Sequence, residues 1–243
     1  LGTTSLSGGV ATLSVSSLAT GSHSLTAVYN GNSNFTSSTS PVDTQTVTKS
    51  STTTTAGSSP NPSVFGQPVT LTATVAAVAP GSGTPTGTVT FFIGGIPQAP
   101  TTLSGGVATL TVSNLPVGTR SIRATYNGDS NFTASNSTTS NQTVNKANSS
   151  TALTSAPDPS VFGQAKTLTA TVTPMAPGTG TPTGTVSFFD GATLLGTTSL
   201  SGGVATFTTS TLAIGTHSLT AVYGGSGNFN TSTSPVDTQT VTP

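Results

Sequence analysis

The sequence predicts an all-β chain of tandem β-sandwich units. Three observations carry that prediction. A 97-residue rhythm runs through the 243 residues, apolar and polar residues alternate with period two inside each repeat, and glycine- and asparagine-rich turn signals separate the alternating stretches. No stretch sustains a helical period.

The rhythm is read from identical strings. Leu6 to Thr12, Leu103 to Thr109 and Leu200 to Thr206 all read LSGGVAT, at a spacing of 97. Val64-Phe65-Gly66-Gln67 returns as Val161-Phe162-Gly163-Gln164, and Tyr29, Tyr126 and Tyr223 keep the same interval. Residues 50–146 and 147–243 are complete units. Residues 1–49 correspond to the second half of a unit and agree with residues 195–243 at 37 of 49 positions. This opening half carries the later strands of a unit without the earlier ones, so it is expected not to fold alone. The missing part is expected to lie upstream or to come from another subunit.

Within residues 50–146, Val69, Leu71, Ala73 and Val75 share one phase, with Thr70, Thr72 and Thr74 in the other. Val89-Phe91-Ile93, Ala108-Leu110-Val112 and Ile122-Ala124-Tyr126 form further inward sets, and the third unit repeats the pattern through Leu168-Ala170-Val172, Val186-Phe188 and Leu219-Ala221-Tyr223. Threonine dominates the outward positions. Its branched β-carbon favours extended backbone, so the composition suits strands. Gly105-Gly106, Gly202-Gly203, Asn30-Gly31 and Asn127-Gly128 supply tight turns, and Pro80 to Gly87 a longer loop matched by Pro177 to Gly184. About seven short strands per unit, without helix, point to an immunoglobulin-like sandwich lacking the Cys-Trp-Cys core of antibody domains.

The order of a VFGQPVTLTATV strand, a GTVTFF strand, a GGVATL strand and then GTRSIRATYNGDSNF before the last strand resembles the bacterial immunoglobulin-like repeats found in tandem in large secreted and surface proteins. The segment Tyr126 to Phe132 is the most specific part. The third unit departs from it at Tyr223 to Phe229, where the aspartate is missing. The resemblance covers the whole chain and implies a stalk, spacer or adhesive module without catalytic activity.

Composition excludes several functions. Only 4% of residues are charged, with five acids, five bases and no cysteine or tryptophan. Five bases cannot build the basic surface that nucleic acid requires. Thiolate metal sites and disulfides need cysteine. No apolar run approaches the ~20 residues of a membrane span, and no secretory leader opens the sequence.

The residues that could carry chemistry are scattered. His23 and His217 are repeat equivalents roughly two domains apart, with Arg120 at the same place in the middle unit; they are read as polar residues at the rim of the core. Asp43 and Asp237 are equivalent, while Asp129, Asp158 and Asp190 occupy unrelated positions, so no pair is set up for acid–base work. Asn127, Asp129 and Asn131 have the spacing of a calcium loop, but the only acid is lost in the other copies, where Asn30, Asn32, Asn34 and Gly224, Ser226, Asn228 stand. The set is read as a hairpin loop. Lys49 and Lys146 lack the neighbouring acid that an amide cross-link to asparagine needs. No catalytic, cofactor-binding or metal-binding residue and no cofactor is therefore expected.

Six glycosylation sequons occur, at Asn34, Asn131, Asn136, Asn141, Asn148 and Asn230. With 55 Thr, 36 Ser and a formal net charge of zero, the surface has little charge with which to guard its sheet edges. Attached glycan, self-association or packing against neighbouring repeats of a longer chain is expected to cover it. The links, Val47 to Thr55 and Asn145 to Ser150, are expected to be short and extended. With strands of ~7 residues rising ~3.3 Å each, a unit should span about 35–45 Å, and the array should form a beaded rod. The expected function is a structural segment of an extracellular fibre or cell-surface stalk in a prokaryote, with an adhesive or carbohydrate-binding module as the alternative. That alternative would use an exposed aromatic platform; Phe92 and Phe189 point away from Phe91 and Phe188 and are expected to cover a second face or a domain junction.

Overall fold

The computed structural model describes residues 1–243, all of them in strands, turns and loops. Residues 1–49 carry β1 (Gly21–Leu25), β2 (Val28–Tyr29), β3 (Ser38–Thr39) and β4 (Asp43–Val47). Residues 50–146, called unit 2, carry β5 (Thr52–Ser59), β6 (Ser63–Val64), β7 (Val69–Ala77), β8 (Thr88–Ile93), β9 (Ile96–Pro97), β10 (Thr101–Thr102), β11 (Val107–Val112), β12 (Gly118–Tyr126), β13 (Ser135–Asn136) and β14 (Ser140–Asn145). Residues 147–243, called unit 3, carry β15 (Ser149–Ala156), β16 (Ser160–Val161), β17 (Lys166–Pro174), β18 (Thr185–Asp190), β19 (Thr193–Ser199), β20 (Val204–Thr209), β21 (Gly215–Tyr223), β22 (Ser232–Thr233) and β23 (Asp237–Thr242).

Each of these two units is a sandwich. In unit 2 the sheet β11-β7-β5 faces the sheet β10-β8-β12-β14-β6; in unit 3 β15-β17-β20 faces β16-β23-β21-β18-β19. The inward phase read from alternation is the buried one. Val69, Leu71, Ala73, Val75, Val89, Phe91, Ile122, Ala124 and Tyr126 belong to a core of 14 buried residues, and Leu168, Ala170, Val172, Val186, Phe188, Leu219, Ala221 and Tyr223 to its counterpart of 14 in unit 3. Burying a large apolar side chain contributes about 1.5–3 kcal/mol, which makes these clusters the main source of stability.

The first strand of each unit crosses between the sheets. β5 pairs antiparallel with β7, the chain bends at Pro60-Asn61-Pro62, and β6 then pairs parallel with β14. Gln142, fully buried, clamps this bend: its Nε2 donates to the Pro60 carbonyl at 3.1 Å and to Ser63 Oγ at 3.1 Å. Gln239 does the same in unit 3 on the Pro157 carbonyl at 3.0 Å and Ser160 Oγ at 3.3 Å.

Two expectations are corrected. The links between units are shorter than the alternation implies, because Thr52–Ser59 and Ser149–Ala156 are strands. Their inward faces are hydroxylic: Thr52 and Thr54 both meet Ser135 Oγ at 2.7 Å, and Ser149 and Thr151 meet Ser232 Oγ at 2.8 and 2.7 Å. The run from Val64 to Gln67 is also not part of the following strand. It is a separate short strand and a turn, with β7 starting only at Val69.

Residues 1–49 contain no buried residue and form the two-stranded pairings β1-β4 and β2-β3 and an isolated bridge between Ser7 and Val10. Leu6, Val10, Val28, Phe35 and Val42 are exposed there.

Candidate functional site

The Tyr-to-Phe loop at the amino-terminal pole of each unit is a hydrogen-bonded knot. Asp129 Oδ1 accepts from the backbone N–H groups of Asn131 and Phe132, both at 2.8 Å. Its Oδ2 accepts from Thr86 N at 2.9 Å and Thr86 Oγ1 at 2.6 Å. Asn32 Oδ1 takes the same two backbone donors in the first repeat, at 2.8 and 2.9 Å, and Ser226 Oγ takes them in the third, at 3.2 Å each. One acceptor at this position is what the loop needs, and Asp, Asn and Ser each provide it. Both Asp129 oxygens are thereby occupied by protein donors. Burial pushes its carboxyl up, but the bonds from Thr86, Asn131 and Phe132 outweigh this and hold it well below the usual carboxylate range. The buried phenol of Tyr126 is pushed up to about 12 by burial and then by the charge of Asp129.

At the opposite pole the structure joins two residues that sequence reasoning kept apart. His217 Nδ1 lies 2.7 Å from Asp190 Oδ2, and its Nε2 lies 2.8 Å from the Ala213 carbonyl. Both ring nitrogens face acceptors, so no nitrogen remains to take a proton from a nucleophile. The arrangement favours the protonated ring. The Ala213 carbonyl raises the pKa most, burial opposes it, Asp190 raises it further and the nearby Lys166 charge opposes it. Lys166 is fully buried, donating to the Gln164 carbonyl at 3.0 Å. In unit 2 Ile93 and Arg120 stand at the equivalent places and line an open groove of about 460 Å³.

The other candidates stay separate. His23 lies 2.7 Å from the Ala19 carbonyl, and Asp158 Oδ1 accepts from Thr240 N at 2.8 Å. Asp43 and Asp237 are edge-of-strand residues paired with Leu25 and Leu219. Lys146 donates to the Ser226 carbonyl at 2.6 Å, and Lys49 to the equivalent carbonyl of Asp129. No three His, Cys, Asp or Glu side chains gather. Phe92 and Phe189 are half-buried on the sandwich face, and Arg123 lies over the Phe92 ring at 4.3 Å. The six sequon asparagines are all exposed.

The site that uses the most residues is the junction between units 2 and 3. After Val64 the chain turns at Gly66, whose φ of +78° is left-handed, and projects Phe65 beyond the sandwich. Gln67 closes this turn, accepting from Val64 N at 3.0 Å. The Phe65 ring stands edge-on to Phe229 of unit 3, with centroids 5.6 Å apart and planes at 79°. A β-carbon on Gly66 would meet the Thr179 carbonyl at 2.5 Å, and one on Gly180 would meet the Phe65 ring at 3.3 Å. Thr179 Oγ1 donates to the Gly66 carbonyl at 2.8 Å. The covalent link is held too: Ala147 is fully buried in the unit 3 core, donates to the Asn228 carbonyl at 2.9 Å and accepts from Asn230 N at 2.9 Å. Val64 and Phe65 thus extend the unit 3 core across the junction.

A two-sheet sandwich with a parallel first-to-last strand pairing, repeated along one chain and joined pole to pole, is an immunoglobulin-type tandem array. The chain belongs to the bacterial Ig-like domain (group 3) family, whose model matches residues 1–48, 54–145 and 153–242. Such domains are typical of surface or secreted proteins, and no catalytic domain is identified in the chain. No curated protein sequence matches it. Among solved structures it is similar to the adhesin InvE of Yersinia pseudotuberculosis, at 19% identity and a TM-score of 0.35 over 74% of this chain and 58% of that one. It is also similar to the Escherichia coli adhesin FdeC, at 16% identity and 0.32 over 78% and 64%. A third is a set of fibronectin(III)-like modules of Clostridium thermocellum CbhA, at 18% identity and 0.30 over 78% and 93%. The chain spans less than two thirds of either adhesin chain.

Proposed function

We propose that the chain is a structural segment of an extracellular fibre or cell-surface stalk, giving it length and tensile continuity. The observation that carries this reading is the junction. Phe65 reaches onto Phe229 while Ala147, in the link itself, is buried in the next core, so a pull along the chain loads packed contacts on both sides. Units repeated at a fixed 97-residue interval support it, since a spacer needs repetition and no distinct site. A surface with 4% charged residues also responds little to salt.

Pulling single molecules of the full chain tests this. Two discrete unfolding events are expected, each lengthening the chain by about 29 nm, the ~97 residues of a unit at ~3.4 Å less a folded length of ~4 nm. Extension at a few piconewtons without discrete steps would overturn the role. A carbohydrate-binding module instead predicts saturable binding on a glycan array that disappears in Phe92→Ala.

A further inference from the structure

The carboxy-terminal pole of unit 3 repeats the plug that unit 2 inserts into unit 3. Val161, Phe162, Gly163 and Gln164 stand where Val64, Phe65, Gly66 and Gln67 stand. The loop is built the same way. Gln164 Oε1 accepts from Val161 N at 3.1 Å, and Phe162 N donates to the Thr242 carbonyl at 2.8 Å, as Phe65 N does to Asn145 at 2.9 Å. Gly163 has a φ of +82° against +78° at Gly66.

Only the surroundings differ. Val64, Phe65 and Val117 of unit 2 are half-buried, while their equivalents Val161, Phe162 and Ile214 are 51%, 60% and 57% exposed. A β-carbon on Gly66 would strike Thr179, whereas one on Gly163 would meet nothing within 4 Å. An apolar tip, held by hydrogen bonds within its own unit, thus stands at this pole in the geometry of the unit 2 plug.

We propose that this pole of unit 3 is a docking surface, and that its occupant is the amino-terminal pole of a second copy of the same unit. Phe162 would stand against the ring equivalent to Phe229, and Gly163 against the loop equivalent to Gly178-Thr179-Gly180. The occupant is argued from the junction already formed. The same four residues, on the same clamp, meet that loop between units 2 and 3. The exposed tip residues Val161, Phe162 and Ile214 are apolar, which matches a pole built of glycine, threonine and phenylalanine. This rests on the reading of the chain as a tandem spacer and names what the carboxy-terminal pole of unit 3 receives.

The test extends the full chain at Pro243 by a second copy of residues 147–243, which keeps the 97-residue register. Amide NMR spectra of Val161 to Gln164, and the alignment of unit 3 and the added unit in a dilute liquid crystal, are the readouts. Shifted Val161–Gln164 amides and one shared alignment tensor are expected. Phe162→Ser, at an exposed position, should return both to independent behaviour, and Phe65→Ser should not. Unshifted amides, separate tensors or an unaffected Phe162→Ser chain would overturn the proposal. An added unit that does not fold beside unit 3 would overturn it as well. A flexible joint would still leave a spacer, whose fate is decided by the pulling experiment.

Discussion

Phe65 and Phe229 lie in different sandwiches, yet their rings meet edge to face at 5.6 Å, matching the 5.7 Å between Phe188 and Phe207 within unit 3. The contact depends on Gly66, which carries both a left-handed backbone and the close approach to Thr179. Gly66→Val should therefore open the joint, whereas Gly163→Val carries a similar backbone strain, about 1 kcal/mol, with nothing to strike. Small-angle scattering of the two variants checks this. A broadened distance distribution is expected for Gly66→Val alone.

The Asp129 knot makes unit 2 sensitive to acid. Its folded pKa is depressed, so its stabilisation is present above the ordinary value of 3.8 and lost as the pH falls through the lower folded value. Hydrogen exchange at pH 5 and pH 2.5 should show unit 2 losing more protection than unit 3, where uncharged Ser226 fills the place. Asp129→Asn should keep the loop, as Asn32 does in the first repeat, and remove the difference. Asp129→Ala should cost about 1 kcal/mol by removing hydrogen bonds whose donors are mostly exposed to water.

The His217 pair gives unit 3 the opposite dependence. Its folded pKa lies above the ordinary 6.5, so the stabilisation is complete below that value and fades as the pH rises through the raised one. The groups facing the ring are Asp190, the Ala213 carbonyl and, farther off, Lys166. A contribution of about 1 kcal/mol is expected for a partly exposed charged pair. Unit 3 should melt a few degrees higher at pH 5.5 than at pH 9, roughly 4–8 °C per kcal/mol for a unit of this size. His217→Gln should flatten that profile.

Lys166 is a cation buried where unit 2 has the fully buried Val69. Its ammonium has one hydrogen bond, to the Gln164 carbonyl. Lys166→Val should raise the stability of unit 3 by about 1–2 kcal/mol in thermal melts. It should also raise the His217 pKa further in an NMR titration, because an opposing charge is gone. A loss of stability would show that the ammonium is better satisfied than its contacts indicate.

Alternation made most of the core legible, because Val69 to Val75 and Leu168 to Val172 are both strongly apolar and strictly periodic. It failed at Thr52–Ser59, where the inward residues are Thr54 and Ala56 and the stabilising partner is a serine 81 residues away. Hydroxyls that satisfy each other in a core look like a linker in a sequence. His217 and Asp190 were invisible for a related reason. They meet because β21 pairs with β18 in a register that sets Leu219 opposite Asp190, and nothing in their 27-residue separation announces it. The VFGQ run was legible as a repeat but not as a plug, since its partner lies in the next unit.

The central claim is that units 2 and 3 form one body through Phe65. Residual dipolar couplings of the full chain test it most directly. A single alignment tensor fitting residues 52–145 and 149–242 together, split into two by Phe65→Ser, is the predicted result. Two independent tensors in the unaltered chain would contradict it.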